Sequence, residues 1–356
     1  MPVSVCFVTC TTWPAVSESD GFVARALERR GAAVTPRAWN DAAARFDGFD
    51  AVVFRSNWDY HHAPDAFLAW LARWEAAGVR FWNPPELIRW NLSKRYLGDL
   101  ERAGIPVVPT VYLDGSDPDA LPALLTARGW ETAVVKPVLS ASAHDTVLVK
   151  PGEAPAVGSA IAAGGIRTPV MVQPFVEEIR TRGEWSLVFI DGTFTHAALK
   201  RPSPGEFRVQ PSFGGSSAAG RPGAEPIATA RRALDALPVP PLYVRVDGVV
   251  TARGFVVMEV EAHEPGLFFG LAPEAARWLT QNRSIKAIGL DTASIDHGQS
   301  TLFESHRTLF DKNIPAFENV ANVDQLPVKG FSVIALPMKI KGGSGGPLRI
   351  VAILSK

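Results

Sequence analysis

Strand-length apolar runs alternate with helical spacing through the N-terminal part of the chain. Val3–Val8 reads as a buried strand and Asp20–Arg30 as an amphipathic helix, with Gly31 where a C-cap is expected. Ala33–Thr35 and Ala51–Phe54 are further strands, and Asp65–Ala77 is a helix ended by Gly78. This rhythm predicts α/β architecture with a parallel, doubly wound sheet. Asn91–Ala103 reads as one more helix, stopped by Gly104-Ile105-Pro106.

The pattern then changes. Ala133–Val138, Thr146–Lys150, Val170–Val176, Trp185–Ile190 and Thr193–Lys200 read as strands, with Asp191-Gly192 a hairpin signal between the last two. A helix over about Pro226–Ala236 and the strands Tyr243–Thr251 and Phe255–Glu261 complete an α+β region of mixed or antiparallel sheet. Pro202–Gly223 is rich in Gly, Pro and Ser and reads as a loop. The expected domains are 1–105, 106–280 and 281–356.

Composition supplies that last boundary. Up to Thr280 the chain holds 23 Arg, 4 Lys and all 10 Trp, whereas from Gln281 it holds 3 Arg, 6 Lys and no Trp. Folding physics gives no reason for so abrupt an exchange, so the two parts are expected to differ in origin. The formal net charge of +0 gives no bulk field for nucleic acid or an anionic membrane. No apolar run approaches the roughly 20 residues of a membrane span. With no leader-like N-terminus and only Cys6 and Cys10 as cysteines, a cytoplasmic location is expected.

Scarce lysines draw attention to Lys94 and Lys136, the latter at the end of a buried strand where an unpaired ammonium is costly. Arg245 and Asp247 share one strand face, and Glu259 and Glu261 share a face of the next strand. Three carboxylates beside an arginine suit Mg²⁺ bridging nucleotide phosphates. Arg55, Trp58, Asp59 and Tyr60 follow the strand Ala51–Phe54, at the carboxyl end where open α/β sheets bind ligands, and are candidate substrate contacts.

In order and spacing these motifs resemble the ATP-grasp superfamily, in its glutathione-synthetase-like and D-alanine-ligase-like branch. The resemblance covers nearly all of residues 1–280. It runs through Arg55-Ser56-Asn57-Trp58-Asp59-Tyr60, Asn91-Leu92-Ser93-Lys94, Val135-Lys136-Pro137 and Val172-Gln173-Pro174-Phe175-Val176-Glu177. It continues with Gly183-Glu184, Arg245-Val246-Asp247 and Glu259-Val260-Glu261-Ala262-His263-Glu264-Pro265. The resemblance implies ATP and Mg²⁺ as cofactors and a ligase that joins a small-molecule carboxylate to an amine, or closes a ring, through an acyl phosphate. It makes Lys94 and Lys136 phosphate contacts, the backbone of Phe175 and Val176 the adenine hinge, and Glu184 the ribose acid with Glu177 its neighbour. Asp247, Glu259 and Glu261 become Mg²⁺ ligands and Arg245 the cation facing the transferred phosphoryl group. Lys200 and Arg208 are implied to hold phosphate or a substrate carboxylate, with Pro202–Gly223 as a lid. A homodimer is the expected assembly.

Two departures stand out. Many relatives have Glu-x-Asn where this chain has Glu259-Val260-Glu261, and the glycine-rich phosphate loop is replaced by Leu139-Ser140-Ala141-Ser142-Ala143-His144.

The tail resembles a different family. Gly289-Leu290-Asp291-Thr292-Ala293-Ser294-Ile295-Asp296 and Pro337–Pro347 are similar to the C-terminal third of the cyclase family of metal-dependent hydrolases, which includes kynurenine formamidases. On that resemblance His306 and Glu318 match two metal ligands. The family's His-x-x-x-His-x-Asp segment cannot be made from any of the seven histidines, so an inert, truncated cyclase-like fragment is expected. Two other readings stand beside the ligase: a metal-dependent amidohydrolase built on the tail, and a nucleotide-binding module without catalysis.

Overall fold

The computed structural model describes residues 2–141, 143–210, 213–267, 273–290, 295, 303–318, 320, 323, 326–327, 329–338 and 346–354. The chain forms two compact units, Met1–Phe268 and Phe269–Lys356.

The first unit begins with β1 (Ser4–Thr9), α1 (Glu18–Arg29), β2 (Ala33–Ala38), β3 (Ala51–Ser56), α2 (Pro64–Ala76) and β4 (Phe81–Trp82). The strands pair in parallel in the order β2-β1-β3-β4, as the alternating pattern predicts. Ser17 caps α1 by accepting the Asp20 N–H (3.1 Å). The core of this sheet is aromatic: Phe54 stacks on Phe81, and Phe67 stacks on Trp70.

Next come α3 (Pro85–Leu92) and α4 (Tyr96–Arg102). The single helix expected over Asn91–Ala103 is therefore broken, with Ser93 extended (φ −101°, ψ 118°). The Lys94 N–H bonds to Val138 O (2.9 Å) instead of continuing a helix. Here a tertiary hydrogen bond outweighs helix propensity and turns Lys94 inward.

An antiparallel sheet, ordered β5-β8-β6-β7, follows: β5 (Val111–Leu113), α5 (Ala120–Arg128), β6 (Ala133–Pro137), β7 (Val147–Val149), α6 (Ala154–Ala162) and β8 (Val170–Pro174). After α7 (Glu178–Arg182), the third sheet is ordered β11-β10-β9-β12-β13. It comprises β9 (Glu184–Ile190), β10 (Thr193–Arg201), β11 (Ser216–Gly220), then α8 (Ala224–Asp235), β12 (Tyr243–Thr251) and β13 (Gly254–Glu261). Asp191 (φ 49°) and Gly192 (φ 69°) make the tight β9–β10 turn in the left-handed region that Asp-Gly favours. Two buried asparagines moor the far end of β13. Asn91 donates to Val260 O (2.7 Å) and accepts the Ala262 N–H (2.7 Å), while Asn83 bridges Tyr243 O and Ala262 O.

The second unit holds α9 (Pro273–Asn282), β14 (Ile288–Gly289), α10 (Glu304–Phe310), β15 (Ala316–Phe317), β16 (Phe331–Pro337) and β17 (Leu348–Leu354). Its small core gathers Ala276, Ile295, Leu309 and Ile314, so α9 packs with the tail and runs across the change of composition at 281. Among the described residues β16 pairs only with β17, and Ile334, Leu336 and Ile353 are exposed. Residues 291–294, 296 and 339–345 of the tail motifs, and Ser142, lie outside the described residues.

Candidate active site

Register brings the chemistry together on the third sheet. In the β12–β13 ladder Arg245 faces Glu261 and Asp247 faces Glu259; across β9, Asp247 faces Ser186, and Lys200 on β10 faces Glu184. The alternation read from the sequence therefore places acids and bases on one surface, with a bulge between Asp247 and Gly248.

Asp247 lies at the centre and is almost fully buried. Arg245 Nε and Nη2 donate to its two oxygens (2.8 and 2.9 Å), Ser186 Oγ donates to Oδ1 (2.7 Å) and Lys200 Nζ to Oδ2 (2.8 Å). Burial opposes ionisation of Asp247, but Arg245 and Lys200 outweigh it and hold the carboxyl well below the usual range. Lys200 also pairs with Glu184 (2.5 Å). Arg245 reaches Glu261 and donates to Gly266 O (3.1 Å). Lys94, freed by the helix break, pairs with Glu259 (3.1 Å) and donates to Ser140 O (2.6 Å).

Burial raises the Glu259 carboxyl, yet Lys94 and Lys136 win and lower it. Burial pushes Glu261 up to about 8, with Arg245 pulling back and Asp247 and Glu259 adding to the rise. Lys136 is lowered by burial, partly offset by Glu259 and reinforced by Lys94. Among the described residues no ion pair holds the Lys136 ammonium. Lys136, half-buried in the site, is thus left among the described residues without an ion pair of its own, which suits an incoming anion.

Among the described residues no three His, Cys, Asp or Glu side chains converge as a metal cage. Asp247 commits both oxygens to cations and Ser186. Glu259 and Glu261 are more open, with side chains 29% and 27% exposed, and each has one carboxylate oxygen outside its ion pair. Two such carboxylates fit Mg²⁺, which is commonly held by one or two carboxylates plus substrate phosphates.

Other expected site residues fall elsewhere. The Phe175 N–H bonds to Thr132 O (2.9 Å), and Val176 O accepts the Ile179 N–H (3.1 Å). Of that hinge, Phe175 C=O and Val176 N–H are the groups these bonds leave over. Glu177 pairs with Arg180 at the surface, its side chain 67% exposed. Arg208 pairs with Glu206 (2.7 Å) and lies over the Phe213 ring.

Much of the Arg55–Tyr60 segment bonds to the chain that follows β13. Arg55 is buried against Asp20 (2.5 Å) and donates to Pro265 O (3.1 Å). Asn57 bonds to His263 Nε2 (2.8 Å), Trp58 Nε1 donates to Glu264 O (3.3 Å), and the Tyr60 ring sits 4.5 Å from the His263 ring. Asp59 accepts from Trp39 Nε1 (2.7 Å) and Asn40 Nδ2 (2.8 Å). The sequence carries no signal for Ser186, and it assigns no role to Asn57 and His263, which stand within the resembling motifs.

In the second unit His306 Nε2 lies 2.9 Å from Glu318 Oε1, which also accepts the Ile295 N–H. Among the described residues that is one pair, short of the three protein ligands of a catalytic zinc.

Residues 5–83 match the family described as the N-terminal domain of D-cycloserine synthetase DcsG. The cycloserine biosynthesis protein DcsG of Streptomyces lavendulae is 37% identical over 171 residues, covering 46% of this chain and 55% of that protein. The chain thus spans about half the length of that curated relative in the match. The crystal structure of D-cycloserine synthetase DcsG aligns with a TM-score of 0.66 and 32% identity, over 74% of this chain and 92% of that one. Kynurenine formamidase of Bordetella petrii is 31% identical over 84 residues, 24% of this chain and 39% of that protein.

Proposed function

This chain belongs to the ATP-grasp ligases, and from that premise we propose that it is an ATP- and Mg²⁺-dependent ligase that forms a carbon–nitrogen bond on a small amino-acid-like carboxylate. The observation that carries the reading is the acid cluster on β9, β10, β12 and β13, where Lys200, Arg245 and, from the α3–α4 break, Lys94 are matched by acids, while Lys136 on β6 has no ion pair among the described residues. ATP phosphates would give Lys136 the anionic partner it lacks. Lys94 and Lys136 take the phosphates, and Phe175 C=O and Val176 N–H offer the adenine one acceptor and one donor. Glu184 serves the ribose once phosphate draws Lys200 away. Glu259 and Glu261 hold Mg²⁺, with Asp247 a third donor as Arg245 and Lys200 turn to phosphate. Bound there, Mg²⁺ offsets charge on the transferred phosphoryl group.

In the reaction a carboxylate oxygen attacks the γ-phosphorus, ADP leaves, and Arg245 and Lys200 stabilise the charge on the phosphoryl oxygens. A nitrogen then attacks the acyl carbon and phosphate departs. D-Cycloserine is a small ring closed by a bond between a carboxyl carbon and an aminooxy nitrogen. Its open form, O-amino-D-serine, carries both partners, and likeness to D-cycloserine synthetase makes it the first substrate to try. ATP-dependent phosphate release is measured with O-amino-D-serine, amino acids and dipeptides, alone and in pairs. Release with at least one of them, accompanied by a C–N product, is expected. ATP binding with no release across the panel favours a non-catalytic module.

A further inference from the structure

A cavity of about 550 Å³ is lined by His61, His62, His144, Asp145, Arg208 and Phe213 among others, and by none of the acid-cluster residues. Its three imidazoles are close: ring centroids are 3.9 Å apart for His61–His62 and 5.6 Å for His144 to each of them. They come from separate parts of the chain, His61 and His62 from a 3-10 turn after β3 and His144 from the loop after β6.

Both parts are tied to the acid cluster. The loop bearing His144 starts at Ser140, whose carbonyl accepts from Lys94, the partner of Glu259. His61 Nδ1 donates to Trp58 O (2.8 Å), and the Trp58 indole donates in turn to Glu264 O, just beyond Glu261. His144 is held between two non-glycine residues in the left-handed region, Ala143 (φ 57°) and Asp145 (φ 54°). Such strain persists where the surroundings over-determine it, and it gathers at functional sites.

Because a carbonyl can only accept, His61 Nδ1 carries the proton and Nε2 keeps its lone pair. Burial, then the neighbouring His62, push His61 down to about 4; the Trp58 carbonyl and Asp59 pull the other way and His144 adds to the fall. The remaining charges nearby are Asp145 beside His144 (3.2 Å), Arg208 matched by Glu206, and Arg167, which donates to His61 O. At neutral pH the wall of this cavity therefore presents an unprotonated imidazole.

We propose that the cavity receives the nitrogen-bearing end of the substrate and that His61, backed by His62 and His144, accepts the proton the nitrogen loses. The proposal rests on the reading of the acid cluster as the site where carboxylate is activated. The nitrogen lone pair bonds to the acyl carbon, the bond from that carbon to the phosphate oxygen breaks, and phosphate leaves with the electron pair. The N–H proton goes to His61 Nε2 and on to solvent through the exposed His62. If the nitrogen is not seated and deprotonated, water takes the acyl phosphate and ATP is spent without product.

The test is the ratio of phosphate released to D-cycloserine formed from O-amino-D-serine and ATP. Asparagine variants of His61, His62 and His144 are compared with Lys136→Ala. General bases typically supply about 10²–10⁴-fold, so His61→Asn should raise the ratio by at least about tenfold, with the KM for ATP little changed. Lys136→Ala, at the phosphates, should slow both outputs together and leave the ratio alone. His62 and His144 are exposed, so their variants carry the test should His61→Asn not fold. An unchanged ratio in every folded histidine variant, whether turnover is normal or uniformly slow, overturns the proposal. Wild-type protein that releases no phosphate, or Lys136→Ala at wild-type speed, overturns the underlying reading of the acid cluster instead.

Discussion

Lys136 stands at the end of β6, facing Glu259, Lys94 and Glu184 without an ion pair of its own among the described residues. A half-buried ammonium left in that condition costs free energy that a bound anion returns. Lys136→Ala should therefore weaken ATP binding by about 1–3 kcal/mol, the range for losing a charge-assisted hydrogen bond, while the melting temperature holds or rises. Isothermal titration with ATP checks this, and wild-type affinity would return Lys136 to a purely structural role. Lys136 was legible because lysine is scarce before residue 281 and because a strand end is a poor place for an idle charge. Ser186 and Asn57 were not legible, since a serine or asparagine gains meaning only from the partner that tertiary folding brings within 3 Å, here Asp247 and His263. In the Arg55–Tyr60 motif, tertiary folding adds what its spacing did not carry: Arg55 and Asn57 bond to Pro265 and His263 of the chain after β13.

Among the elements, β12 and β13 carried the clearest signal. Their alternation alone sets Arg245 against Glu261 and Asp247 against Glu259. The bulge between Asp247 and Gly248 was not readable, because it depends on what the neighbouring strand brings against residue 248. A methyl built on Gly248 would lie 2.4 Å from the Phe255 ring and 2.6 Å from Val256 O, far inside contact distance. Gly248→Ala should cost about 1–3 kcal/mol in denaturant unfolding, as overpacked cores do, and should depress turnover by moving Asp247. Wild-type stability in that variant would mean the strand yields there freely. The α3–α4 break escaped sequence reading for a related reason. Asn91–Ala103 has acceptable helical spacing throughout, and only the Val138 carbonyl, distant in sequence, diverts Lys94 from it.

At the scale of the whole molecule, two units with different compositions share one chain, the first rich in Arg and Trp, the second in Lys. The first contains every residue assigned here to nucleotide, metal and substrate; the second contributes one His306–Glu318 pair. Long alternating strands and an ordered set of motifs made the first unit's architecture legible. The tail's short elements, such as β14 and β15 of two residues each, carry too little periodicity for the same treatment. The central claim is that the first unit activates a carboxylate by phosphorylating it. Turnover of O-amino-D-serine labelled with oxygen-18 in its carboxyl group tests that claim most directly, with the released phosphate read by mass spectrometry. One labelled oxygen per phosphate is the predicted result, because the acyl phosphate breaks between carbon and the bridging oxygen. Product formed alongside unlabelled phosphate would contradict it.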